Sequence, residues 1–324
     1  LGVLTGLPTQ GDYLLIDADS HASIYDGCKM SDAQTVRFRH NSPEDLAKRL
    51  RRLEDQPGDK FVVVEGIYSM LGDMAPLKEF VDVKREAGDN VYLIVDEAHS
   101  LGVLGETGRG LCQEAGVEQD CDFIVGTFSK SIGTVGGYCV SDMPGFDAMR
   151  FTSRPYMFTA SMTPGSIASA RAAFGIISEQ RGEQQKLWRN THQLYQGVQK
   201  LGFRTGPQPS PVVAIVLPNP ETAVGLWNRL MEAGIYTNIA IPPATPNSLS
   251  LLRVSVSAAH SARQIQRALE TLAAVGAEMG IVEPAATALP SSSRLTVING
   301  GAAPAKGAAP QTAPQVRDAA SPTG

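Results

Sequence analysis

The 324-residue sequence is short of several things, and each shortage removes a class of function. No apolar run approaches the roughly 20 residues that a helix needs to cross a bilayer, so no transmembrane segment is expected. No stretch is dense in Lys and Arg, and the formal net charge is −5, so nucleic acid is not an expected partner. The four cysteines, Cys28, Cys112, Cys121 and Cys139, are scattered, with neither a C-x-x-C pair nor metal-ligand spacing. No metal site is expected from them, and they read as buried, reduced thiols of a cytoplasmic protein. No basic segment leads into an apolar one near the start, so no export signal is read there. No repeat of fixed period is visible. The chain opens with Leu1 inside L-G-V-L-T-G-L, which reads as the interior of a helix, and further residues are expected upstream.

What is present suffices for a large core and about two domains: 43% of residues are hydrophobic and 19% charged. Short apolar runs at residues 13–17, 35–38, 61–65, 91–96 and 123–127 each read as a buried strand, and residues 138–140 add another. Between them, residues 42–53 and 76–87 have helical spacing, with Pro43 and Pro76 as first-turn prolines and Ser42 as a cap. Strand alternating with helix predicts an α/β fold: a mostly parallel central sheet with helices on both faces. A long helical region is expected from 164 to about 201, with breaks near Gly175 and Gly182. Strands at 212–217 and 251–256 then alternate with helices at 223–233 and 261–279, as in a smaller C-terminal α/β domain. The expected division is a large domain over 1–163, a connecting helical region over 164–202, a small domain over 203–283, and a disordered tail over 284–324. That tail is rich in Ala, Pro, Ser and Gly and cannot bury enough apolar surface to offset its ordering entropy.

The chemistry concentrates at two strand ends. Y-L-I-V-D-E-A-H-S-L-G-V-L-G-E-T-G-R-G (92–110) closes a buried strand on Asp96 and carries His99 three residues on. G-T-F-S-K-S (126–131) places Thr127, Ser129 and Lys130 at the end of the next strand. Ligands of open α/β sheets sit at the carboxyl ends of the strands, so both sets would face one site. V-D-E-A-H also imitates the acidic motif of a DEAH-type helicase, but no G-x-x-x-x-G-K-[ST] phosphate loop precedes it. A different chemistry is coherent. A pyridoxal 5'-phosphate (PLP) enzyme needs a lysine for the Schiff base, a carboxylate that keeps the pyridine nitrogen protonated, and hydroxyls or amides for the phosphate. Lys130, Asp96 and the Thr127/Ser129 pair are of those types. Asp96 beside a pyridinium should stay ionised, and Lys130 must lose its proton to react. Taken alone, a lysine is usually a solvated surface charge.

Six segments then carry a family resemblance: D-A-D-S-H-A-S-I-Y-D-G-C-K (17–29), V-E-G-I-Y-S-M-L-G-D (64–73), V-D-E-A-H-S-L-G-V-L-G-E-T-G-R-G (95–110), G-T-F-S-K-S (126–131), R-P-Y-M-F-T-A-S (154–161) and P-P-A-T-P…L-L-R-V-S-V-S-A-A-H (242–260). Over residues 1 to about 283 the chain resembles the α-oxoamine synthases, a family of fold-type I PLP-dependent transferases. The resemblance implies that His21 stacks on the cofactor ring and that His99 bonds its phenolic oxygen. It implies that Thr127 and Ser129 hold the phosphate and that Lys130 binds the cofactor covalently. Glu65 and Ser69 would line the pocket, Arg253 would grip the amino-acid carboxylate, and Thr159 would reach the phosphate of the other subunit in a homodimer with shared sites. Structural alternatives stand beside these: His21 as a helix-start residue, Arg253 in an ion pair, and Glu65 and Ser69 as packing. His40, His192 and His260 have no such context, and His260 is expected to help start the last helix.

The reaction so implied is a decarboxylative condensation of a small amino acid, L-serine, with an acyl thioester, palmitoyl-CoA, to give 3-ketodihydrosphingosine. Sister activities of the family use other pairs, as in 8-amino-7-oxononanoate synthase, glycine C-acetyltransferase and 5-aminolevulinate synthase, and an acyl-carrier-protein donor would suit the Ala/Pro-rich tail. A non-catalytic partner subunit of the same fold is a further alternative, against which the intact Lys130 argues. One departure weakens the serine assignment: Ile241 stands just before P-P-A-T-P, where some relatives have an arginine.

Overall fold

A computed structural model describes residues 1–179 and 181–283. The tail expected over 284–324 lies outside the described residues.

Six strands form the first sheet: β1 (Tyr13–Asp17), β2 (Gln34–Phe38), β3 (Lys60–Glu65), β4 (Val91–Asp96), β5 (Phe123–Thr127) and β6 (Gly137–Val140). Their spatial order is β2-β1-β3-β4-β5-β6; the first five run parallel, and β6 returns antiparallel to β5. Successive strand side chains point to opposite faces, and both faces here are apolar. Leu15, Val62, Val64, Leu93 and Val95 enter one core, closed by Leu46 and Leu50 of helix Pro43–Arg51 and by Phe80 and Val81 of helix Leu77–Ala87. Leu14, Ile16, Phe61, Val63 and Ile94 enter the other, closed by Leu4 of helix Gly2–Gly6 and by Ile24 and Cys28 of helix Ala22–Met30. Truncating a fully buried member such as Leu93 to alanine would cost about 2–5 kcal/mol.

Helix ends follow the local chemistry. Ser42 Oγ accepts from the Asp45 N–H, Pro43 follows it in the first turn, and Lys48, Arg49 and Arg51 fill the last. Pro76 stands one place earlier than expected, as the cap residue rather than inside the helix. Helix Ala22–Met30, signalled in the sequence only by His21 as a helix-start residue, has few buried large side chains and no clear stripe. Its Gly27 lets it close on the first helix, since a Cβ there would sit 2.9 Å from Leu4 Cδ1. The long helical region comprises helices Pro164–Glu179 and Arg181–Lys200; Gly182 is the second residue of the latter, near where a break was expected, whereas Gly175 lies inside the former.

The second sheet has order β7-β8-β10-β9, all neighbours antiparallel: β7 (Arg204–Thr205), β8 (Val212–Leu217), β9 (Asn238–Ala240) and β10 (Ser250–Ser255). Its Val213, Ile215, Leu217 and Leu252 pack under helices Arg181–Lys200, Pro220–Glu232 and Ala262–Glu278. Ser261, with Gln264 in a reciprocal capping box, starts the last helix, while His260 Nδ1 accepts from the Ser257 N–H in the turn before it. Among the described residues, no helix is long and apolar enough to cross a membrane.

Candidate active site

The parallel sheet sets the site by bringing strand ends level. In the β3/β4 register Glu65 lies beside Asp96, and in β4/β5 Asp96 lies beside Val125. Lys130 follows three residues after the end of β5 and opens onto a cleft of about 570 Å³, together with His99, Ser131 and Arg253. Arg253 comes from the second sheet. It projects from the face opposite Leu252, as do Val212 and Ser255, and all three line the cleft.

Burial and charge tie these groups together. Protein around the Lys130 ammonium lowers its pKa by desolvation; Asp96 and Glu65 oppose that, and Arg253 adds to it. Burial raises the Asp96 carboxyl, against the Ala98 N–H that donates to Oδ1 at 2.9 Å and the charges of Lys130 and His21. A cation placed against Asp96 would favour its ionised form against that burial. Glu65 is 2% exposed, and burial followed by the charge of Asp96 pushes its carboxyl up to about 8. His99 is moved the other way, down to about 3, by burial, Lys130, Arg253 and His21, and is a neutral imidazole at physiological pH.

His21 is the helix-start residue that the sequence offered as one reading. It caps helix Ala22–Met30, with Nδ1 accepting from the Ser23 N–H at 3.2 Å, and its backbone N–H donates to Glu65 Oε1 at 2.5 Å. Partial burial and then Lys130 lower its pKa, while Asp96 opposes them. At the end of β5 the Thr127 and Ser129 hydroxyl oxygens lie 3.0 Å apart, and the Ser129 N–H donates to Thr127 Oγ1 at 3.3 Å. Ser69 is buried in the loop after β3, inside the turn closed by the Ile67–Met74 bridge. Thr159 is exposed between helices Arg154–Met157 and Pro164–Glu179, away from the cleft lining. Ile241 packs against the core of the second sheet. Ser131 and Ser257 also line the cleft; for Ser131 the signal was its place next to Lys130, and for Ser257 its place in the segment that carries Arg253.

Arg253 gives the sharpest test of fit. Its Nε is buried with no partner among the described residues, so the ion-pair reading of this residue does not hold. A buried N–H donor left without an acceptor is costly, and this one belongs to a guanidinium that opens onto the cleft, where an anion could meet it. The rest of the donor set fits PLP: an amine of lowered pKa, a buried acid on the adjacent strand, the imidazoles of His99 and His21, and paired hydroxyls at a strand end. A sheet and donor set of this kind define a fold-type I PLP-dependent transferase.

The chain belongs to the aminotransferase class I and II family, which matches residues 2–272. It is 58% identical over 284 residues to a serine palmitoyltransferase of Caulobacter vibrioides, covering 88% of this chain and 70% of that one. It is 34% identical over 281 residues to an 8-amino-7-oxononanoate synthase of Symbiobacterium thermophilum, covering 87% and 71%. Among solved structures, a variant serine palmitoyltransferase from S. paucimobilis with a bound PLP-myriocin aldimine superposes with a TM-score of 0.84 at 47% identity, over 87% of this chain and 70% of that one.

Proposed function

We propose that this chain carries out the serine palmitoyltransferase reaction: PLP-dependent decarboxylative condensation of L-serine with palmitoyl-CoA to 3-ketodihydrosphingosine, the first step of sphingolipid synthesis. The observation that carries the reading is the meeting, in one cleft, of Lys130 with its lowered pKa and Arg253, whose buried Nε has no partner among the described residues. The greater identity to serine palmitoyltransferase than to 8-amino-7-oxononanoate synthase supports serine over the sister substrates.

When bound, PLP supplies an electron sink for the carbanion that forms at the amino acid's α-carbon. Lys130 would hold the cofactor, and as a free amine it is the base that takes the α-proton; its depressed pKa keeps it unprotonated more of the time. Asp96 would meet the ring nitrogen, whose positive charge would favour the carboxylate against the burial that raises its pKa. His99, neutral, can hydrogen-bond the phenolic oxygen without bringing a competing charge. His21 would lie against the ring, and the Thr127 and Ser129 hydroxyls would donate to the phosphate. Arg253 would take the serine carboxylate through two parallel N–H donors. Glu65 and Ser69 support the pocket wall. Thr159 would reach the phosphate of a second subunit in a homodimer; exposed Phe151, Tyr156, Met157 and Phe158 on the same stretch offer an apolar face for that contact. We place the reaction in the cytoplasm, where free thiols such as Cys28 and Cys112 stay reduced.

The test is to give the PLP-loaded protein serine, alanine and glycine separately, each with palmitoyl-CoA, and to measure the ketone product and released carbon dioxide. Product with serine is expected; product with alanine or glycine and none with serine overturns the assignment.

A further inference from the structure

His40 stands outside the site and has no role in the chemistry described so far, yet its surroundings are built with care. Nδ1 lies 2.8 Å from Asp17 Oδ1 and Nε2 lies 2.6 Å from Asp73 Oδ2. Both carboxylates are buried. A neutral imidazole can donate through only one ring nitrogen, so two carboxylate partners call for the doubly protonated ring. The groups facing it are Asp17 from the end of β1, Asp19 at 3.9 Å, Asp73 from the loop after β3, and the edge of the Tyr68 ring. The facing ionisable side chains are therefore all acids, and they hold the imidazolium up to about 10 despite the cost of burying it. Asn41 completes the arrangement from a left-handed backbone conformation, φ 48°: its N–H donates to Asp17 Oδ2 at 2.8 Å and its Nδ2 to Asp73 Oδ2 at 2.9 Å.

The two acids sit at the roots of the two loops that matter. The Asp17 carboxylate also accepts from the Asp19 N–H at 2.8 Å, which shapes the turn leading directly to His21. Asp73 closes the loop that begins at Glu65 and holds Ser69, its carbonyl accepting from the Tyr68 N–H at 2.8 Å. The loops meet again at the site itself, through the His21 N–H and Glu65.

We infer that His40 is a positioning residue: as an imidazolium clamped between Asp17 and Asp73, it locks the loop carrying His21 to the loop carrying Ser69 and so fixes where His21 stands over the cleft. The inference rests on the site reading above for the purpose of that placement.

The test compares His40→Gln and Asp73→Asn with the unaltered full-length protein. Glutamine can donate to one acid but carries no charge; Asp73→Asn leaves the Asp17 contact and decides the matter if His40→Gln fails to fold. Amide hydrogen exchange at residues 18–23 and 66–73 should rise about tenfold or more, while β4 and β5 keep their protection. In the same variants kcat for the condensation should fall on the order of 10-fold to 100-fold, as expected when a positioned group is displaced by about an ångström, with the KM for serine moving less than kcat because Arg253 is untouched. Unchanged exchange in those two loops overturns the clamp. Altered exchange with kcat within about twofold overturns its catalytic relevance. A Lys130→Ala control that still turned over would overturn the site reading instead, and the exchange result would then judge the clamp by itself.

Discussion

The first sheet is apolar on both faces, and β3 is closed to solvent along its whole length. The second buries one face under three helices and turns Val212, Arg253 and Ser255 of the other toward the cleft. The difference governs where each can carry chemistry. Mid-strand side chains of the inner strands of a doubly covered parallel sheet are committed to the core, so polar groups gather at the carboxyl ends, where Asp17, Glu65, Asp96 and Thr127 stand. A half-covered antiparallel sheet can offer a side chain from the middle of a strand, and Arg253 is one. On the proposed reading, cofactor handling would fall to the first sheet and the grip on substrate to the second, and variants should separate the two.

The largest effect should come from Lys130→Ala. Removing the amine takes away both the covalent anchor and the base, and turnover should drop on the order of 10⁴-fold or more. Because Lys130 opens onto the cleft and packs little, the melting temperature should hardly move. Product assay and thermal melting of the same sample check this, and a large loss of stability would mean that the first sheet does not separate chemistry from folding.

Next comes the pH dependence of stability, which should originate in the first region, since both strongly shifted histidines lie there. The folded value of His40, about 10, is above its ordinary 6.5, so its contribution is complete below pH 6.5 and is lost as the pH climbs through 10. That contribution is on the order of 3 to 5 kcal/mol. His99, at about 3, is the reverse: its contribution is complete above pH 6.5 and is lost as the pH falls toward 3. Glu65, raised to about 8, adds to the alkaline loss. Denaturant titrations from pH 5 to 10 on the protein and on His40→Gln isolate the histidine by difference, and parallel alkaline slopes for the two would contradict its charge state.

Arg253→Ala should be milder and different in kind. The loss of a charge-assisted bidentate contact should lower kcat/KM for serine about 100-fold, while cofactor affinity stays within about twofold. Arg253→Lys should recover only part, because an ammonium lacks the planar fork. If cofactor affinity fell as steeply as serine use, the division between the sheets would break.

Much of this was legible in the sequence for physical reasons. Buried parallel strands such as β4 are unbroken apolar runs that end abruptly on a polar residue, so Asp96 and Thr127 could be placed at strand ends before any coordinates. Ser42 and Pro43 marked a helix start by their own chemistry. Other features were not legible because they depend on contacts between distant segments. Nothing near His40 in sequence announces that Asp17 and Asp73 close on it from 23 and 33 residues away. Helix Ala22–Met30 owes its place to Leu4 packing on Gly27, not to a periodic stripe. Gly175 looks like a break only while propensity is the sole consideration; a glycine inside a helix costs about 1 kcal/mol, and the helix Pro164–Glu179 runs through it.

The smallest predicted effects lie at the end of β5 and test the phosphate end of the site. Each hydroxyl of the Thr127/Ser129 pair would give one charge-assisted bond, which is about 1.5 to 3 kcal/mol at full strength and less where solvent competes, as at the exposed Ser129. Thr127→Val keeps the shape of the half-buried side chain while removing its oxygen and should weaken PLP binding about tenfold, with Ser129→Ala costing less. The two oxygens already bond each other at 3.0 Å, so they act as a unit: losing one frees the other from its internal partner. The double variant should therefore lose an amount different from the sum of the singles, by 0.5 kcal/mol or more, the margin expected of groups in contact. Titration of the cofactor-free protein with PLP, followed by absorbance, measures all three. Strict additivity would mean that the hydroxyls do not share one phosphate, and unchanged affinity in the double variant would move the phosphate away from β5 altogether.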